Sequence, residues 1–239
     1  MRQKLIGFDI VALIQIGFLF GTLSQCMGQA DQTRGNSNRR IILAALQPVL
    51  LADKEGSRIE YAAARCSTNP KSSLFFPADI IPFPQINVKS PKQGQSGVAA
   101  VGEMFSDDKG VRVADRVPGV VDITIGDVPD AILGVRISSL KLRRTERYDP
   151  AAAIGAIEQT KEVDAFMRQT NMSLPPILGG LITPPLPELP HMRSHLTNVT
   201  FGEALDLIAK TFGGIVVYGT CERPNNLFYV DFVSLQGGM

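Results

Sequence analysis

Thr200 to Phe212 sets apolar residues at helical spacing directly ahead of two β-branched runs, and few folds accommodate that order. Thr200 and Glu203 form a capping-box pattern, in which each side chain can satisfy an orphan backbone N–H at the helix start. Phe201, Leu205, Ile208 and Phe212 then recur on one face, which must be buried. Gly213 and Gly214 end the helix where positive φ is cheap. Ile215 to Tyr218 and most of Leu227 to Val233 are β-branched or aromatic, and Glu222 to Asn226 supplies turn chemistry between them. Local chemistry alone therefore specifies an α-β-β unit.

The same order recurs earlier. Val98 to Phe105 reads as a short helix, Val111 to Ala114 as a strand, Pro118 and Gly119 as a turn, and Val121 to Ile125 as a half-buried strand. Duplication and convergence both account for the likeness. Val135 to Leu142 alternates as a further strand. Asp149 is a good N-cap with Pro150 in the first turn, and the helix it opens is expected to run to about Met167. A Pro-rich connector extends from Leu174 to Pro190. The fold class is α+β, with small mixed or antiparallel sheets and short helices: two α-β-β units, at about 98–126 and 198–234, joined by a helix and a Pro-rich connector within a domain spanning 98–239.

Residues 31–97 read as an irregular Pro-rich segment. Asp31 to Asn38 is polar and suits a flexible stretch, Pro48 interrupts the apolar run Ile41 to Leu51, and Pro77, Pro82, Pro84 and Pro91 break up the remainder of the segment. Ahead of it, Arg2 and Lys4 precede an apolar run from Ile10 to Phe20, with Gly28 and Ala30 at the small-residue positions a signal peptidase requires. Residues 1–30 are expected to be a signal peptide cut after Ala30. Asp9 and Gln15 shorten the apolar stretch below the roughly 20 residues that span a bilayer. An uncleaved anchor is one alternative. Lipidation at Cys26 is another, since Leu23-Ser24-Gln25-Cys26 approximates a lipoprotein box, although Gln25 stands where that box wants a small residue.

Removal of the signal leaves about 210 residues, enough for a substantial core. A formal net charge of +1, with no run of one sign, argues against nucleic acid as the main partner. Arg143, Arg144 and Arg147 form the densest basic cluster and read as a solvated edge before a phosphate-binding patch. Once Cys26 is lost, Cys66 and Cys221 remain, and an oxidising compartment would join them. Such a bond would stabilise the fold by about 4 kcal/mol in the chain-entropy model; two unpaired thiols are the other possibility.

Catalytic patterns are weak. His191 and His195 are four apart with Glu188 nearby, but Pro190 precedes them and Met192 stands where a zincin places Glu. Ser96 lies in Gly94-Gln95-Ser96-Gly97, which lacks a spacing residue of the nucleophile elbow. Asp107 with Asp108, and Asp127 with Asp130, could serve as paired acids, yet both pairs fall where Asp favours turns. No metal or cofactor is expected.

The run Asn198-Val199-Thr200-Phe201-Gly202-Glu203-Ala204-Leu205-Asp206-Leu207-Ile208-Ala209, followed by Gly213, Gly214 and the Ile215 to Tyr218 strand, resembles the short N-terminal domain shared by secretins and TonB-dependent receptors. The resemblance covers residues 198–233 and transfers no catalytic residue. It implies a periplasmic docking module. The expected protein is thus exported, periplasmic or extracellular, binds an envelope protein or assembly through exposed hairpin edges and the connector, and touches the membrane only through an uncleaved or lipidated N-terminus. The competing expectation is a secreted hydrolase whose site gathers scattered acids with His191 and His195.

Overall fold

The computed structural model describes residues 23–67, 80–90, 97–174, 190–223 and 226–235, with side chains from residue 37 onward. In chain order the elements are α1 (Leu23–Asp53), β1 (Gly56–Ala63), α2 (Gly97–Met104), β2 (Val111–Val117), β3 (Val120–Ile125), β4 (Arg136–Lys141), α3 (Arg144–Tyr148), α4 (Pro150–Glu158), α5 (Lys161–Thr170), β5 (Met172–Ser173), β6 (His195–Thr200), α6 (Phe201–Phe212), β7 (Gly214–Cys221) and β8 (Asn226–Ser234). The fold is α+β, as the sequence indicates, and both α-β-β units are present.

One mixed sheet carries the strands in the order β2-β3-β1-β7-β8-β5, and β4 pairs antiparallel with β6 in a second, two-stranded sheet. Strand β1 runs parallel to both β3 and β7, while β2–β3 and β7–β8 are antiparallel hairpins. Alternate residues of a strand face opposite ways, so the large sheet serves two cores. Ile59, Tyr61, Ile123, Val217 and Tyr229 meet α1 and α2 on one face. Val216, Tyr218, Phe228 and Val230 meet α4, α6 and the small sheet on the other. The helices of the two α-β-β units consequently lie on opposite faces, so the units share an order of elements but not an arrangement.

Helix α6 follows its sequence signals closely. The Thr200 side chain accepts from the Glu203 N–H, Glu203 accepts in return from the Thr200 N–H, and Gly213 closes the helix at φ 60°. Phe201, Leu205 and Ile208 are fully buried. Gly56 is required where α6 crosses β1, because a Cβ there would lie 2.5 Å from the Ala209 carbonyl oxygen.

Two expectations need correction. Residues 31–97 are not irregular throughout, for they contribute most of α1 and all of β1. Asp31 to Asn38 continues α1, and Pro48 lies inside that helix. An internal Pro costs about 3 kcal/mol, which burial of Ile42, Leu43, Leu46, Val49 and Leu50 outweighs at roughly 1.5–3 kcal/mol each. Of the described part, residues 54–55, 64–67 and 81–90 carry no helix or strand, and among them Cys66, Ile81 and Phe83 are buried. The helix opened by Asp149 ends at Glu158 and a new one starts at Lys161. Thr160 causes the break: it is extended at ψ 148° and returns its hydroxyl to the Ile157 carbonyl, while Glu162 and Asp164 favour a fresh first turn. In the C-terminal hairpin β7 is paired on both sides, so the hairpin's edge is that of β8, which β5 covers only at Asn226 and Leu227.

Residues 1–22, with the apolar run Ile10 to Phe20, lie outside the described residues; Leu23 to Ala30 form the first turns of α1, the side chain of Cys26 lying outside the description. Ser96, Glu188 and nearly all of the Pro-rich connector also fall outside it.

Candidate docking edge and the ion cluster behind it

Strand β2 closes one end of the large sheet, and among the described residues no strand pairs with its outer side. Its inner side pairs with β3 from Val111↔Ile125 to Val117↔Val120, with one extra residue at Arg116. That bulge bends the strand and turns Arg116 toward the second core. Val111 and Val113 are half-buried against the first core, whereas Arg112, Ala114, Asp115 and Arg116 are exposed. Charges and a bulge are devices by which edge strands resist indiscriminate pairing. At the opposite end of the sheet β5 covers only Asn226 and Leu227 of β8, and Arg39 of α1 ties down Asp231 at 2.5 Å.

Behind the β2 edge lies a cluster that no local pattern marks. Arg58 of β1 is fully buried. Its Nη1 donates to Asp206 Oδ1 of α6 at 2.6 Å and to the Gly202 carbonyl at 2.9 Å, and its Nε lies 2.7 Å from Glu60 Oε1 and 3.7 Å from Asp122 Oδ1. Arg116 reaches in from β2 to Asp122 at 3.5 Å and to Glu60 at 3.7 Å, with 44% of its side chain exposed. Three carboxylates thus face two guanidiniums. Nε and Nη2 of Arg58, Oε1 of Glu60, Oδ1 of Asp122 and Oδ2 of Asp206 are buried without a well-aligned hydrogen bond, so much of the attraction is Coulombic rather than directional. Burial raises the Glu60 and Asp206 carboxyls above their ordinary range, an effect that Arg58 opposes. The cluster ties α6 to β1 and β3 of the sheet, with Arg116 of β2 at its exposed rim.

Cys66 and Cys221 form a disulfide with a Cα separation of 5.3 Å. It joins the exit of β1 to the end of β7, two strands already paired through Ala63↔Cys221. Both cysteines are buried, and the bond fits a non-reducing compartment.

The remaining candidates scatter. His191 is exposed and stacks on Tyr148 with ring centroids 5.0 Å apart. His195 opens β6 opposite Lys141, also exposed. Among the described residues no group of three His, Cys, Asp or Glu side chains is placed to hold a metal ion. Asp107 pairs with Lys89 at 2.7 Å, and Asp108 accepts from the Gly110 N–H at 3.0 Å, as turn aspartates do. Asp130 closes a single turn through its carbonyl to the Gly134 N–H. Asp127, however, lines a cleft of about 270 Å³ with Thr220 and Glu222, where β1, β3 and β7 end.

Of the cluster residues, only Asp206 left a trace in the sequence: a carboxylate four positions after Gly202, beside the apolar stripe of α6. No family model matches the chain, and no curated protein or solved structure matches it either.

Proposed function

We propose that this chain is an exported envelope protein that docks another protein by accepting a strand of it at the β2 edge, and that it performs no reaction itself. The carrying observation is the outer side of β2, unpaired among the described residues, on a sheet stapled by Cys66–Cys221. Strand addition uses backbone groups already on display, and alternate side chains select the partner. The disulfide supports export. So does the order β6, α6, Gly213, β7, β8, on which the resemblance to the secretin and TonB short domain rests.

Capture from envelope extract with the full chain, followed by hydrogen exchange on the complex, tests the reading. The β2 amides from Val111 to Val117 are expected to gain protection while those of β8 do not. No partner above background, or a partner that leaves β2 unprotected, would defeat it.

One observation favours a hydrolase as the second reading. Asp127 and Glu222 share the cleft at the carboxyl ends of the parallel strands, a place where open α/β sheets bind ligands. Its volume, about 270 Å³, falls just under the roughly 300–1,000 Å³ of ordinary ligand sites, which ranks it second. Turnover of glycosides that is lost in Asp127→Asn would reverse that ranking.

A further inference from the structure

The sequence sets Arg143, Arg144 and Arg147 about fifty residues from His191 and His195, and read separately each group suits a solvated surface. The fold joins them. Lys141 stands opposite His195 in the β4–β6 ladder, the Leu142 N–H donates to the Ser194 carbonyl, and the Met192 N–H donates to the Arg147 carbonyl. Leu142, Met192 and Leu196 turn inward to the second core. Their neighbours Lys141, Arg143, Arg144, His191, Arg193 and His195 are all exposed.

Residues 141–147 and 191–195 together hold five permanent cations and two imidazoles against one carboxylate, Glu146. Glu146 is engaged by the Arg143 N–H at 2.6 Å. A local excess of four charges is large in a chain whose net charge is +1. Beside the cations runs a groove of about 450 Å³ with an apolar floor of Met192, Leu196 and Leu207 and a rim of His191, Arg193 and Lys210. Arg147 is a positioning residue rather than a contact: its Nε holds the Met192 carbonyl at 2.8 Å, and its guanidinium lies 5.9 Å from the centre of the Tyr148 ring on which His191 stacks.

We infer that this face, built from the β4–α3 junction and the strand entering β6, docks onto an anionic phospholipid surface. Phosphate headgroups complement the local excess of four positive charges, and the apolar floor of the adjoining groove suits the acyl boundary beneath them. The face is separate from β2, so this inference stands or falls independently of strand docking.

The test is sedimentation of the full chain with phosphatidylcholine vesicles, with and without about 30% phosphatidylglycerol, at low and high salt. The neutral vesicles absorb any contribution of the apolar run Ile10 to Phe20. Wild type should partition at least about tenfold more strongly onto the anionic vesicles, and salt should erase the difference. Combined Lys141→Gln, Arg144→Gln and Arg193→Gln should remove the anionic preference, leave partition onto neutral vesicles unchanged and keep the thermal midpoint. Combined Arg65→Gln, Lys109→Gln and Arg112→Gln removes the same charge elsewhere and should retain the preference within about twofold. Equal loss in both variants, no preference in wild type, or tighter binding of a DNA duplex than of the anionic vesicles at matched salt would overturn the inference.

Discussion

The α6–β7–β8 unit and strand β1 lie side by side in one sheet, yet different physics holds them. In the unit, apolar side chains bury against near neighbours: Phe201, Leu205 and Ile208 are fully enclosed, and β7 is buried along its whole length. Strand β1 is as deep, but four of its eight residues are Gly56, Ser57, Arg58 and Glu60. Ser57 is satisfied by the Val121 carbonyl at 2.8 Å, and Arg58 by Asp206, 148 positions away. Apolar burial tolerates an imperfect neighbour, whereas a buried charge depends on one particular partner. The β1 region should therefore fail more sharply when a single group is removed.

Arg58→Ala tests that most severely. It strands the Glu60 and Asp206 carboxylates without their central cation, and breaking a buried ion pair from one side costs about 3–5 kcal/mol. Thermal melting should drop by roughly 10 °C or more for a chain of this size. Leu205→Ala is the matched change in the apolar unit, expected to cost about 2–4 kcal/mol by lost transfer and cavity formation. The contrast lies in rescue. Arg58→Met together with Glu60→Leu and Asp206→Leu should recover much of the loss, since apolar replacements of a buried ion network are often neutral or better. A triple variant less stable than Arg58→Ala would show that the cluster contributes more than it costs.

The pattern of legible and illegible elements follows the same division. Capping by Thr200 and Asp149, the stripe of α6 and the alternation of β3 are local, so the residues themselves announce them. Strand β1 escaped because its polar half resembles a solvated face, and only the fold supplies Asp206 and Asp122 as partners. Pro48 misled for a related reason: the rule it obeys is local, and the burial that overrides it comes from distant elements. The disulfide was legible as one of two readings, once Cys26 was set aside with the expected signal. The basic face was not, because its two halves meet only through the β4–β6 ladder.

Glu158 extends the comparison to an acid shifted by burial. It ends α4 at 8% exposure, and burial pushes its carboxyl up to about 8. The protonated form favours the fold, so its contribution is fully present below the unfolded value near 4.5 and is lost as pH rises through about 8. Denaturant melts between pH 5 and 8 should show stability falling as pH rises. Glu158→Gln should remove a component on the order of 2–3 kcal/mol from that slope and stabilise the protein at the alkaline end. Unchanged slopes in the variant would place the titration elsewhere, with Glu60 and Asp206 next in line because burial raises both in the same direction.

Arg116→Ala should have the smallest effect, and it separates the buried part of the cluster from its exposed rim. Arg116 makes the same kind of contact as Arg58, with the same two acids, but at 3.5–3.7 Å and with nearly half of its side chain in water. Water screens such a pair, and exposed ion pairs contribute about 0–1 kcal/mol. The variant should therefore melt within a few degrees of wild type. If it instead loses as much as Arg58→Ala, all five side chains act as one unit. The bulged end of β2 would then depend on the core beneath it, and a partner strand that drew Arg116 outward would strain the attachment of α6.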